Sequence, residues 1–230
     1  MDRRLLKMST LLLIVMGLSL TGCSQEQPAE KAVTTPQLSV SPFAGTIVAV
    51  GDSLTAGLGL AEDQAYPAQL ARRLRAKGYN YQVINAGVSG ETSSGALARI
   101  GWVIANLAPD IVILETGAND GLRGLDTDLL KANLDRLVGT LTDQNIQVIL
   151  AGMHMLPNLG PDYTREFSKI YPQIAEKHEV PFIPFFLEGV AGMPSLNQSD
   201  KMHPTAEGYA RIVETVLPYV ITAIERHEAM

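Results

Sequence analysis

Five short apolar runs, each followed by a segment of helical periodicity, constrain this fold more than anything else in the sequence. The runs are residues 46–50, 81–84, 111–114, 148–151 and 180–183. The first, a continuous apolar run ending in Gly51, suits a buried parallel strand. The intervening segments predict helices over 64–77, over 93 or 94 to 107, over 128–144, over 165–177 and over 205–225. Leu130, Leu134, Leu137, Val138 and Leu141 mark the buried stripe of the third. The last carries Ala206, Tyr209, Ala210, Val213, Val216, Leu217, Val220 and Ile224. Pro172 and Pro218 are expected to kink their helices. Ser93 or Ser94 is the expected cap of the second helix. Alternation of this kind gives an α/β fold, a parallel sheet with helices on both faces.

The first two dozen residues follow different rules. Arg3, Arg4 and Lys7 precede an apolar run over 8–20, too short to span a bilayer and shaped like an export signal. Leu20-Thr21-Gly22-Cys23 resembles the lipobox of bacterial lipoproteins. That resemblance implies cleavage before Cys23 and lipidation of its thiol. Residues 1–22 then form a lipoprotein signal peptide, residues 23–43 the lipidated cysteine and a flexible tether, and residues 44–230 the folded domain. Ser24, after the cysteine, implies the periplasm-facing outer membrane in an organism with two membranes. Cys23 is the only cysteine, which excludes an internal disulfide or a Cys-x-x-Cys metal site. A net charge of −6 argues against nucleic-acid binding, which needs clustered cations. Neither metal nor cofactor is expected.

In open α/β sheets the working residues follow the carboxyl ends of strands. Four such loops stand out: Gly51-Asp52-Ser53-Leu54, residues 85–90 with Gly87, Thr116-Gly117-Ala118-Asn119-Asp120, and Asp200-Lys201-Met202-His203. A serine hydroxyl needs a base to take its proton, and His203 is the candidate. Asp200, three residues earlier, can reach the other ring nitrogen and hold the tautomer. An oxyanion needs preplaced donors. The candidates are the Ser53 N–H, the Gly87 N–H and the Asn119 side-chain amide. Glycine at 87 is expected to let backbone approach substrate closely.

These four blocks resemble, in content and order, those of the SGNH subfamily of GDSL hydrolases, and specifically its bacterial arylesterase and thioesterase/lysophospholipase group. The resemblance covers about residues 45–225. It implies a flavodoxin-like three-layer α/β/α fold with a five-stranded parallel sheet ordered 2-1-3-4-5. It also implies ester and thioester hydrolysis with Ser53 as nucleophile, His203 as base, Asp200 orienting it, and Ser53, Gly87 and Asn119 as oxyanion hole. A small-molecule or lipid ester is the implied partner. Leu122, His154, Leu156 and Tyr163 are candidates for a substrate rim. Asp52 reads as a loop organiser, and Glu115 as a carboxylate holding loop N–H groups. A carbohydrate O-acetylesterase and a non-enzymatic lipoprotein binding module remain as alternatives.

Overall fold

The computed structural model describes residues 43–155 and 157–229. The leader, Cys23, the tether and the Leu156 position lie outside the described residues. Five parallel strands form the sheet: β1 (Gly45–Gly51), β2 (Tyr81–Gly87), β3 (Ile111–Glu115), β4 (Gln147–Ala151) and β5 (Phe182–Ile183). Their order is β2-β1-β3-β4-β5, the flavodoxin-like order. Ile47 to Val50 and Ile111 to Leu114 are completely buried, as unbroken apolar strands covered on both faces should be.

Among the described residues, seven α-helices flank the sheet: α1 (Ser53–Ala56), α2 (Tyr66–Ala76), α3 (Ser93–Leu107), α4 (Ala118–Leu122), α5 (Thr127–Thr142), α6 (Pro161–His178) and α7 (Ala206–Glu228). α2 packs on α7, while α3 packs on α5 and α5 on α6. Each Leu or Ile these stripes bury contributes roughly 1.5–3 kcal/mol of transfer free energy. No helix among the described residues is long and apolar enough to cross a membrane.

Several local expectations change. β2 runs on through Asn85, Ala86 and Gly87, because β1 pairs with it in register as far as Gly51↔Gly87. Gly87 is thus a strand terminus rather than a loop residue. β5 starts only at Phe182, after Pro181, which has no N–H to give the ladder. Neither Ser93 nor Ser94 caps α3; Thr92 holds the cap position, and the Asp120 carboxylate accepts the Ser93 N–H at 2.8 Å from another element. α6 and α7 continue through Pro172 and Pro218. Both prolines face solvent, where water can satisfy the carbonyl left without its N–H partner. In α7, Gly208, Ile212 and Ala223 are buried, whereas Ala206 is half-buried and Ala210 exposed.

Candidate active site

The strand order reverses direction at β1, so the connections after β1 and β3 leave toward opposite faces, the place where sheets of this kind form a crevice at the carboxyl edge. Ser53 stands at its mouth as the first residue of α1. Asp52 caps that helix, its Oδ1 accepting the Leu54 N–H at 2.9 Å. The Ser53 N–H therefore points out of a first turn in which no intrahelical acceptor exists.

His203 comes from the far end of the chain. Its loop is closed by a bridge between Asn197 and Pro204, by the Gln198 N–H on the His203 carbonyl at 2.7 Å, and by Thr205 capping α7. Asp200 makes the inside of this turn. Its Oδ1 accepts the backbone N–H of Met202 at 2.9 Å and of His203 at 3.0 Å. Its Oδ2 lies 2.7 Å from His203 Nδ1. With Nδ1–H donating to Asp200, Nε2 is free to accept the Ser53 hydroxyl, 2.9 Å away. These backbone and imidazole donors hold the Asp200 carboxyl down to about 2, so it stays a carboxylate beside the ring.

Ser53, His203 and Asp200 are thus brought together over 150 residues of sequence. The three oxyanion candidates are brought to the same edge, but two are already engaged. The Gly87 N–H donates to Asn85 Oδ1 at 2.9 Å. Asn119 Nδ2 donates to Asp52 Oδ2 and to the Glu91 carbonyl, both at 3.0 Å. A developing oxyanion would have to share or displace those acceptors. Asn119 is the second residue of α4, whose cap position is held by Gly117 with a φ of 106° that suits only glycine.

A second layer holds the crevice. Arg99 grips Glu91 with two 2.7 Å hydrogen bonds, and Arg123 donates to the Gly90 carbonyl at 2.7 Å. The loop between β2 and α3, which carries the carbonyl that orients Asn119, is therefore clamped from two sides. Ser93 is fully buried and bonded to Asp120 Oδ1 and to the Asn133 amide, a bracket joining α3, α4 and α5. Sequence reading missed this clamp and bracket. The one signal available was the charged pair Glu91 and Arg99 within an otherwise weakly charged stretch.

Of the other rim candidates, Leu122 is 57% exposed beside the crevice. His154 is exposed and stacks on Phe185 with ring centroids 4.3 Å apart. Tyr163 donates its hydroxyl to the Leu125 carbonyl at 2.8 Å, which ties α6 to the loop after α4. Two concavities of about 470 and 480 Å³ lie instead around Pro181 and Arg226, at the opposite edge of the sheet.

Two buried carboxyls underlie α1. Glu115, fully buried at the end of β3, accepts the Thr55 hydroxyl at 2.8 Å. Burial, reinforced by the Asp52 charge, raises its carboxyl well above the ordinary range. Burial likewise pushes Asp52 up to about 6, against the pull of the Leu54 N–H, the Asn119 amide and His203. A carboxyl raised on folding binds its proton more tightly in the folded state, so stability falls as pH rises from the unfolded value, near 4, to about 6. Denaturant unfolding from pH 4 to 8 should show this fall in the wild type and a flatter curve for Asp52→Asn. The Asp200 contribution has the opposite sign and is lost only below that window, as pH falls toward about 2.

The model of the GDSL-like lipase/acylhydrolase family matches residues 49–211, from the middle of β1 into α7. The chain belongs to this family. Esterase TesA of Pseudomonas aeruginosa is 41% identical over 181 residues, covering 79% of this chain and 90% of TesA. The crystal structure of TesA superposes with a TM-score of 0.74 at 39% identity, over 77% of this chain and 99% of the solved one. Thioesterase 1/protease 1/lysophospholipase L1 of Escherichia coli K12 is 34% identical over 171 residues, 74% of this chain and 81% of the relative. The psychrotrophic esterase EstA of a Pseudoalteromonas species, solved inhibited by monoethylphosphonate, gives a TM-score of 0.75 at 32% identity, over 79% of this chain and 99% of that one. As a member of the family, with a serine hydroxyl set against an imidazole and a carboxylate, the protein is a serine ester hydrolase.

Proposed function

We propose that this GDSL-family enzyme is an exported, lipid-anchored esterase that hydrolyses lysophospholipids and other carboxylic esters close to a membrane. The unbroken hydrogen-bond relay from Ser53 through His203 to Asp200 carries the reading. In it, Ser53 Oγ bonds to the ester carbonyl carbon as its proton passes to His203 Nε2. Asp200 stabilises the imidazolium. The carbonyl electrons settle on oxygen beside the Ser53 N–H, with Gly87 and Asn119 as further donors. His203 returns the proton to the departing alcohol or thiol. Water then repeats the attack on the acyl-enzyme and releases the acid.

The substrate class rests on the names of the relatives, an esterase and a thioesterase/lysophospholipase, and on the lipobox ending in Cys23. An enzyme tethered outside the cytoplasm meets lipid esters rather than acyl-CoA, so thioester hydrolysis is read as an activity of the test tube. The decisive assay is turnover of p-nitrophenyl esters from acetyl to palmitoyl, alongside lysophosphatidylcholine. The expected optimum lies beyond acetyl. Acetyl-only turnover would instead favour a carbohydrate O-acetylesterase, and none from a folded protein a binding module. Acyl label should enter the chain made with its leader and not its Cys23→Ser variant; equal labelling would end the lipoprotein reading.

A further inference from the structure

Nine large apolar side chains are exposed among the described residues; Phe43, Trp102, Leu129 and Met193 lie apart, but the other five fall into one pattern. Each of the five strands is followed, at the carboxyl edge, by a connection that presents one. Leu58 follows β1, Val88 follows β2, Leu122 follows β3, Leu159 follows β4 and Met202 follows β5, each at least 38% exposed. Single exposed apolar residues need no explanation, but grouping around one crevice does.

Contacts between the loops join them into a collar. Gln198 donates to the Leu58 carbonyl at 2.8 Å and, through its backbone N–H, to the carbonyl of His203, next to Met202. Arg123, beside Leu122, reaches the Gly90 carbonyl in the Val88 loop. A Cβ built on Gly124 would stand 3.7 Å from Leu159 Cδ2, which places Leu159 against the end of α4. One acyl chain occupies one side of a crevice; a collar formed by every loop fits a continuous apolar surface. Two cations stand next to its apolar members, Arg123 after Leu122 and Lys201 before Met202, both exposed. That pairing suits a surface of acyl chains topped with phosphate.

We infer that the carboxyl-edge collar of Leu58, Val88, Leu122, Leu159 and Met202 seats the enzyme on a phospholipid surface, so that Ser53 receives ester directly from the lipid–water boundary. The occupant follows from the chain outside the described residues, where the export signal and Cys23 place the domain within reach of a membrane. The inference rests on the lipid-ester reading above and adds the surface to it.

Residues 43–230 suffice for the test. They hold the whole core, and the solved TesA chain, matched over 99% of its length, is this domain alone. Lacking Cys23, the fragment can meet lipid only through its own surface. It should sediment with vesicles of phosphatidylcholine containing a minority of phosphatidylglycerol. Leu58→Gln/Leu159→Gln should weaken that binding by about tenfold while p-nitrophenyl acetate turnover stays within about twofold. A wild-type fragment that turns over this ester yet never sediments would overturn the inference, as would sedimentation undiminished in the double variant. A dimer that the variant dissociates would assign the collar to a second copy of the chain. Absence of ester turnover in the folded wild type would strike the proposed function instead.

Discussion

Ester hydrolysis by Ser53→Ala should fall at least about 10³-fold with the fold intact, and His203→Ala should fall to a similar level. The expectation comes from how the proton moves. Ser53 Oγ and His203 Nε2 are 2.9 Å apart, and each is useless to acyl transfer without the other. Their losses should therefore not add: the double variant should be no slower than either single variant by more than a few-fold. Both residues are held by backbone features that a smaller side chain leaves alone, the Asp52 cap and the Asn197–Pro204 bridge. Unfolding midpoints within a few degrees of wild type, measured beside kcat/KM, would separate lost chemistry from lost structure. Substantial turnover in Ser53→Ala would remove Ser53 as nucleophile. Ser93 could not replace it, since its hydroxyl is buried against Asp120 and Asn133.

Gly87→Ala should be the most damaging change that adds one carbon. A Cβ there would lie 2.2 Å from Ala56 N and 2.7 Å from both Ala56 Cα and Thr55 C. These are backbone atoms of α1 and cannot rotate away, so β2 and α1 must separate. Overpacking of this kind costs about 1–3 kcal/mol or more. α1 also carries Ser53, and a displacement near 1 Å of a reacting group costs about 10²-fold in rate. Gly87→Ala should therefore lose both several degrees of thermal midpoint and about two orders of magnitude in kcat/KM. Wild-type activity in a fully stable Gly87→Ala would mean that the helix tolerates the shift and that its placement is not critical. The structure thus gives a reason for glycine at 87, a neighbouring helix, that differs from the approach to substrate expected from the sequence.

That difference marks where the sequence stops being legible. Strands and helices could be read because burial leaves a periodic trace, period 3.6 along α5 and unbroken apolarity along β1 and β3. Ser53, His203 and Asp200 stand out as candidates because acyl transfer restricts the residue types that can serve it, here in two loops, one after β1 and one before α7. The parts that tune the crevice left no such trace. The Asp120 carboxylate caps a helix that begins 27 residues earlier. The Glu91 carbonyl orients Asn119 through backbone, which has no residue type to recognise. Asp52 and Glu115 owe their raised protonation to packing between β1, β3 and α1, a property of the assembled layers. His178 lies 2.7 Å from Asp135 and His227 3.8 Å from Asp110, partners far apart in the chain that no spacing in the sequence names.

The chain enters β1 at Gly45 and reaches Ser53 only after crossing the sheet, a rise of about 23 Å over seven strand residues. A mooring line attached at Cys23 would thus hold the enzyme by its stern, with the crevice at the bow. From Cys23 to Gly45 the backbone can span at most about 75 Å. With Cys23 held in a membrane, that would be enough slack for the domain to roll over and bring its bow to the water line. A line only half as long would leave little slack beyond the hull and would turn the same catalytic edge toward dissolved esters. Length of leash, with no change in the crevice, would then decide which esters the enzyme meets.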